Sequence, residues 1–290
     1  MTGRALKIGL IQSRTPASAE AGFSHIAPLI RQAAGEGAQL IVTPEGSNLL
    51  EIRRERREAT LRTEGEDPAV AGFQALAREL AVPLVIGSVI VRDDASQADA
   101  PGGEARGVNR TLIIDASGAV AARYDKIHVF DVDLPTGERH RESAVIRPGR
   151  HGVVRAIETQ AGPVMTGLSI CYDVRFAYLY RMLARAGAEI ITVPAAFTVP
   201  TGRAHWEVML RARAIETGAF IIAPAQGGQH EDGRATFGHS MIVDPWGSVI
   251  ARLDHDAPGV LLAQIDLGAV ARARAAIPQL EHTREVALLS

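Results

Sequence analysis

The sequence contains a single cysteine among 290 residues, which excludes an internal disulfide and any thiolate cluster for a metal. Aromatic residues make up only 4%. Charge is nearly balanced at a net −2, so the basic excess of a nucleic-acid surface is missing. No apolar run approaches the ~20 residues that span a bilayer. Met1 to Lys7 leads directly into the short run Ile8-Gly9-Leu10-Ile11, without the apolar stretch and small-residue cleavage site of a secretion signal. Nine histidines are present, but no pair has the spacing of a zinc helix or finger. The expectation is a cytoplasmic protein without metal, nucleic-acid or membrane partners. What is there is 47% apolar residues with no composition shift that would mark a linker, which predicts one domain over residues 1–290.

Strand-like and helix-like segments alternate, as in an α/β protein. Strands are predicted over Leu6 to Gln12, Leu40 to Val42, Pro83 to Val91 and Val260 to Ile265, with helices over Ala19 to Gly35, Ala69 to Ala81 and Arg203 to Thr217. Three segments read as hairpins: Thr111 to Arg123 turning at Ser117-Gly118, Val153 to Ile170 turning at Ala161-Gly162, and Met241 to Arg252 turning at Trp246-Gly247. Hairpins together with helical crossovers mean mixed sheets. The stretch Arg92 to Gly107 reads as a surface loop. Glu51 to Arg62, with five arginines interleaved with glutamates at helical spacing, reads as an exposed, self-paired helix.

The lone Cys171 follows the apolar run Val164 to Ile170 and precedes a segment with helical spacing in Phe176, Leu179, Met182, Leu183 and Ala186. A thiol there would face the positive end of a helix dipole, with backbone N–H groups free to face an oxyanion. A buried cysteine is also an ordinary small hydrophobe, so position alone does not make it a nucleophile. Two charged residues stand at the ends of apolar runs, Glu45 after Leu40 to Pro44 and Lys126 after Val120 to Tyr124, and a third, Glu142, lies in the charged stretch Glu138 to Glu142. Singly, Glu45 reads equally well as a surface acid, Lys126 reads better as a snorkelling surface lysine, and Glu142 reads as a solvated ion pair with an arginine. Together they supply what a thiolate attacking a carbonyl or nitrile carbon needs, namely a carboxylate base and a fixed cation for the tetrahedral oxyanion.

In residue type and order these segments resemble the nitrilase, or carbon-nitrogen hydrolase, superfamily. Pro44-Glu45 is similar to its first glutamate motif, Tyr124-Asp125-Lys126-Ile127-His128-Val129-Phe130-Asp131 to its lysine motif, and Cys171-Tyr172-Asp173-Val174-Arg175-Phe176 to its nucleophile motif. The second glutamate of the family falls on Glu142. Further similarity runs from about Leu6 to His282, including Thr201 to Val208, Arg211 to Thr217 and Gly238 to Gly247, and is closest to the branch of amidases acting on deaminated glutathione and on 2-oxo-acid amides (ω-amidase).

The resemblance implies a four-layer α-β-β-α sandwich with mixed sheets that assembles as a homodimer or larger homo-oligomer. It implies a Glu-Lys-Cys triad of Glu45, Lys126 and Cys171 with accessory Glu142, acting without cofactor on a small carboxylate-bearing amide through a thioester. The Tyr172 N–H would join Lys126 at the oxyanion, and Arg175 and Thr201 would grip a substrate carboxylate. For Arg175, a buried ion pair with an acid such as Asp173, or with one across an interface, is at least an equal alternative. The family's usual Pro-Glu after Arg-Phe is here Ala177-Tyr178, which bears on substrate choice and on the interface. Nitrile hydrolysis or acyl transfer on the same residues, and a non-catalytic metabolite-binding role, remain the alternatives.

Overall fold

Strand β1 (Ala5–Gln12) turns Leu6, Ile8 and Leu10 to one face and Ile11 to the other. Both sets are buried, so packed layers must lie on both sides of it. The computed structural model describes residues 4–51, 53–93, 106–134 and 137–288. After β1 come α1 (Ala19–Gly35), β2 (Leu40–Val42), α2 (Arg54–Thr60), α3 (Pro68–Leu80), β3 (Leu84–Arg92), β4 (Gly107–Ile114) and β5 (Val120–Asp125). A small ribbon of β6 (Asp131–Asp133) and β7 (Arg139–Arg141) leads to β8 (Val154–Thr159), β9 (Gly162–Leu168), α4 (Ala177–Arg185), β10 (Ile190–Thr192), α5 (Val199–Thr217) and β11 (Phe220–Ala223). A second ribbon, β12 (Gly227–Gln229) and β13 (Ala235–Phe237), precedes β14 (Met241–Val243), β15 (Val249–Arg252), β16 (Gly259–Asp266) and α6 (Gly268–Ala276).

The main strands form two six-stranded mixed sheets, ordered β16-β1-β2-β3-β4-β5 and β15-β14-β11-β10-β9-β8. Leu6, Ile8, Leu10 and Val42 of the first share one core with Val164, Leu168, Ile190 and Ile221 of the second, so the sheets stack face to face. Helices α1 and α3 cover the outer face of the first sheet, and α4 and α5 that of the second. The result is the expected α-β-β-α sandwich.

Reversing the second order reveals a repeat. Both sheets then read one antiparallel, two parallel and two antiparallel pairings, which matches β1 to β9, β2 to β10, β3 to β11, β4 to β14 and β5 to β15. Even the turns agree. Asp115 caps the N–H groups of Ser117 and Ala119 between β4 and β5, and Asp244 caps those of Trp246 and Ser248 between β14 and β15. The matched central strands β2 and β10 each run into a proline, Pro44 and Pro194. At Gly87 a Cβ would collide with the Thr43 carbonyl oxygen and stand 2.5 Å from Pro194 Cβ, so only glycine lets the two loops meet there.

All three hairpins form as expected, and the crossover helices and strands differ by a few residues at most. Other features differ more. The helix in the Glu51 to Arg62 stretch covers only Arg54–Thr60; Glu55, Arg56, Glu58 and Ala59 are exposed as expected, but Arg57 is buried, as is Glu51 nearby. The ribbons β6–β7 and β12–β13 carry little apolar sequence and were not anticipated. Most of the loop expected over Arg92 to Gly107, residues 94–105, lies outside the described residues. Trp206 is a core residue, and Trp246 stands exposed in the turn between β14 and β15. No described helix is long and apolar enough to cross a membrane.

Candidate active site

The carboxyl ends of parallel strands are where open α/β sheets collect ligands, and the central strands of both sheets deliver their loops to one place. Glu45 follows β2. Its loop is held by Asn48, a fully buried side chain that donates to Asp67 Oδ2 and Ile90 O and accepts from the N–H groups of Leu49 and Ile90. The Glu45 carbonyl accepts from Gln226 Nε2 at 2.8 Å, which ties it to the opposite sheet. Lys126 follows β5 and Glu142 follows β7. Cys171 follows β9.

These four side chains meet. Lys126 Nζ lies 2.9 Å from Glu45 Oε1 and 2.9 Å from Glu142 Oε2, and is only 2% exposed. An unpaired ammonium at that depth would cost several kcal/mol, about what two facing carboxylates offset. Glu45 Oε2 accepts from the Ala196 N–H at 2.9 Å, and Cys171 lines the same cavity beside that carboxylate. Glu142 Oε2 is fixed by the Phe130 N–H at 2.6 Å.

The charges set the protonation states. Burial alone would raise the Glu45 carboxyl, but the Lys126 ammonium and hydrogen bonds from Cys171, Lys126 and Asn109 hold it below the usual carboxylate range. Burial would likewise lower Lys126, and Glu142 and Glu45 outweigh it, so the ammonium is held well above its ordinary value. Burial and the adjacent Glu45 push the Cys171 thiol well up, against the pull of Lys126. The resting cluster is thus a neutral thiol beside an ionised carboxylate and a protonated lysine.

This corrects the expected helix-dipole setting of Cys171. The residues after it form a five-residue 3-10 turn, Cys171–Arg175, and α4 begins only at Ala177. Cys171 itself has φ +50°, a left-handed conformation uncommon for a side chain with a Cβ. The strain is held by its neighbours. Cys171 N donates to Pro194 O at 2.8 Å, and the wholly buried Asp173 accepts from Ile170 N, Tyr124 Oη and His128 N.

All seven residues singled out in the sequence line one cavity of about 270 Å³: Glu45, Lys126, Glu142, Cys171, Tyr172, Arg175 and Thr201. Arg175 does not pair with Asp173. Its guanidinium lies over the rings of Tyr172 and Phe197, 5.8 and 5.6 Å from their centroids, and bonds to His205 Nδ1, with no carboxylate partner among the described residues. Thr201 reaches the cavity wall, but its hydroxyl is engaged with Thr198. Asn109 and Ala196 were missed. Asn109 left a signal, a polar residue poor in β-propensity inside the strand Gly107–Ile114, whereas a backbone N–H such as that of Ala196 leaves none. Among the described residues no group of three or more His, Cys, Asp or Glu side chains is placed to hold a metal ion.

A buried thiol, an ionised acceptor for its proton and a fixed cation within one cavity suit acyl transfer through a covalent intermediate. Residues 7–275 match the carbon-nitrogen hydrolase family. Over 279 residues the chain is 39% identical to the deaminated glutathione amidase of Mus musculus, covering 96% of this chain and 83% of that protein. Among solved structures it is similar to the C. elegans NitFhit protein, with TM-score 0.86 and 32% identity over 98% of this chain and 66% of that one. It is also similar to a glutamate-to-leucine mutant of the amidase from Nesterenkonia sp. AN1 that carries the acetamide moiety of fluoroacetamide covalently on its active site cysteine. There the TM-score is 0.73 and the identity 25%, over 93% of this chain and 94% of that one. The chain belongs to the carbon-nitrogen hydrolase family.

Proposed function

We propose that this enzyme hydrolyses a small carboxylate-bearing amide, with Cys171 as nucleophile. The observation that carries the reading is that Lys126 bridges Glu45 and Glu142 in the cavity that Cys171 lines beside them. Glu45 takes the thiol proton as sulfur attacks the amide carbon, and Lys126 with the Tyr172 N–H receives the developing oxyanion. The tetrahedral intermediate collapses as Glu45 passes the proton to nitrogen. Ammonia leaves, and the acyl group stays on Cys171 as a thioester. Glu45 then takes a proton from water, hydroxide adds to the thioester, and the acid departs as the thiol is restored. Glu142 orients Lys126 throughout.

Because the resting thiol is neutral, proton transfer accompanies attack rather than preceding it. Two findings favour a carboxylate-bearing substrate: the unpaired Arg175 guanidinium in the cavity wall, and relatives named for an amidase of deaminated glutathione. Residues 1–290 act as one hydrolase domain. The exposed Tyr178 and Met182 on α4, with Val208 and Ile215 on α5, suit a homodimer or larger assembly through that face.

Ammonia release measured over deaminated glutathione, 2-oxo-acid amides, neutral aliphatic amides and nitriles tests the substrate class. Turnover confined to the carboxylate-bearing amides is expected. Preference for neutral amides or nitriles would overturn it.

A further inference from the structure

Asn109 closes a ring around the charged cluster. Its Nδ2 donates to Glu45 Oε1 at 2.9 Å and to Glu142 Oε1 at 3.3 Å. These are the same two oxygens that accept from Lys126 Nζ, at 2.9 and 3.1 Å. The Asn109 carbonyl also accepts from the Lys126 N–H at 2.9 Å, so this one residue on β4 touches both carboxylates and the lysine. Its amide has only one possible orientation, because an oxygen cannot face two carboxylates. In that orientation Asn109 Oδ1 is buried with no donor among the described residues. A side chain kept for packing alone would avoid the cost of that orphaned acceptor.

We infer that Asn109 is a positioning residue: it holds Glu45 and Glu142 at a fixed separation around Lys126 and keeps Glu45 in its ionised, proton-accepting form. A neutral donor does this without adding charge. The two carboxylates and one ammonium stay as they are, and no second cation competes with Lys126 for the oxyanion. The inference rests on Glu45 being the base of the proposed mechanism.

The sign of the test follows from that role. Glu45 accepts the thiol proton only when ionised, so activity falls as pH drops through its pKa. Removing a donor to a carboxylate raises that pKa and moves the acid limb to higher pH. Asn109→Leu removes the donor at similar volume, and the isosteric Asn109→Asp replaces it with a third carboxylate.

In the pH profile of kcat/KM, Asn109→Leu is expected to move the acid limb up by roughly one pH unit, and Asn109→Asp by more. Both should lower kcat roughly 10- to 100-fold with KM little changed, since the loss is one hydrogen bond to a charged group rather than a substrate contact. An unmoved acid limb in both variants, or a loss confined to KM, overturns the inference. Asn109→Asp keeps the packing if Asn109→Leu does not fold, and failure of both to fold would assign Asn109 to the fold alone. Glu45→Gln and Cys171→Ala run beside them separate the two failures, because activity retained there would defeat the mechanism itself.

Discussion

Asp173 Oδ1 lies 2.6 Å from His128 Nδ1, and this contact joins the turn that carries Cys171 to the segment that follows Lys126. The His128 ring stacks on Phe176 at 3.5 Å, so the nucleophile turn is gripped from both its carboxylate and its aromatic side. With Tyr124 and the Ile170 N–H on its other oxygen, Asp173 fixes where the segments carrying the cation and the thiol stand relative to one another. Asp173→Asn would turn an amide N–H₂ toward a backbone N–H, of Ile170 or of His128, that has no lone pair to offer. A stability loss of about 3 kcal/mol in urea denaturation is expected, with His128→Ala costing clearly less. Equal losses would contradict the assigned centre of the network.

The protonation states predict the pH behaviour. Glu45 is held below the ordinary glutamate range, so the acid limb of kcat/KM should fall below the usual glutamate value, and activity should be lost only as pH drops through it. Lys126 keeps its proton to well above its ordinary value and sets no limb near neutrality. An acid limb above pH 6 would show that Glu45 is not held ionised.

Alkylation reports on the thiol directly. With Cys171 pushed well above 9.0, its rate of reaction with iodoacetamide should still be rising at pH 9, with substrate protecting and activity lost in proportion to label. A plateau near neutral pH would mean a preformed thiolate.

Lys126→Met removes the ammonium that sits between buried Glu45 and half-buried Glu142. A fall of about 10²- to 10³-fold in kcat is expected from the lost oxyanion contact. Stability should fall by about 3 kcal/mol near neutral pH. The sign reverses with acid: without the ammonium, burial raises a carboxyl above its unfolded value, so the variant gains stability as pH falls through that raised pKa. Urea midpoints at two pH values check this.

Gly87→Ala tests the meeting of the two proline loops. The added methyl collides with Thr43 and crowds Pro194, so a loss of about 1–3 kcal/mol is expected. Activity should fall with it, because Glu45 and Ala196 follow those loops.

Much of this was legible in the sequence where a pattern has a period or a motif has an order. The strands, crossover helices and hairpins follow apolar runs and Gly-containing turns, and Glu45, Lys126, Glu142 and Cys171 stand where strand ends put them. The pairing of halves was present in two turns, Asp115-Ala116-Ser117-Gly118 and Asp244-Pro245-Trp246-Gly247, but four residues are too short to announce a repeat. Charged positions read worse. Arg57 and Glu51 looked solvated because their spacing permits pairing along a helix, yet tertiary packing buries them on the cavity wall. The left-handed backbone of Cys171 and the orphaned oxygen of Asn109 arise from contacts between segments, which no local pattern encodes.

The central claim is that Cys171 carries the acyl group. Intact-protein mass spectrometry after acid quench during turnover, followed by peptide mapping, tests it most directly. The account predicts a mass increase equal to the acyl moiety on the peptide bearing Cys171, absent in Cys171→Ala, which releases no ammonia above background. Ammonia release by Cys171→Ala at a rate comparable to the native enzyme, or an adduct mapped to another residue, would contradict it.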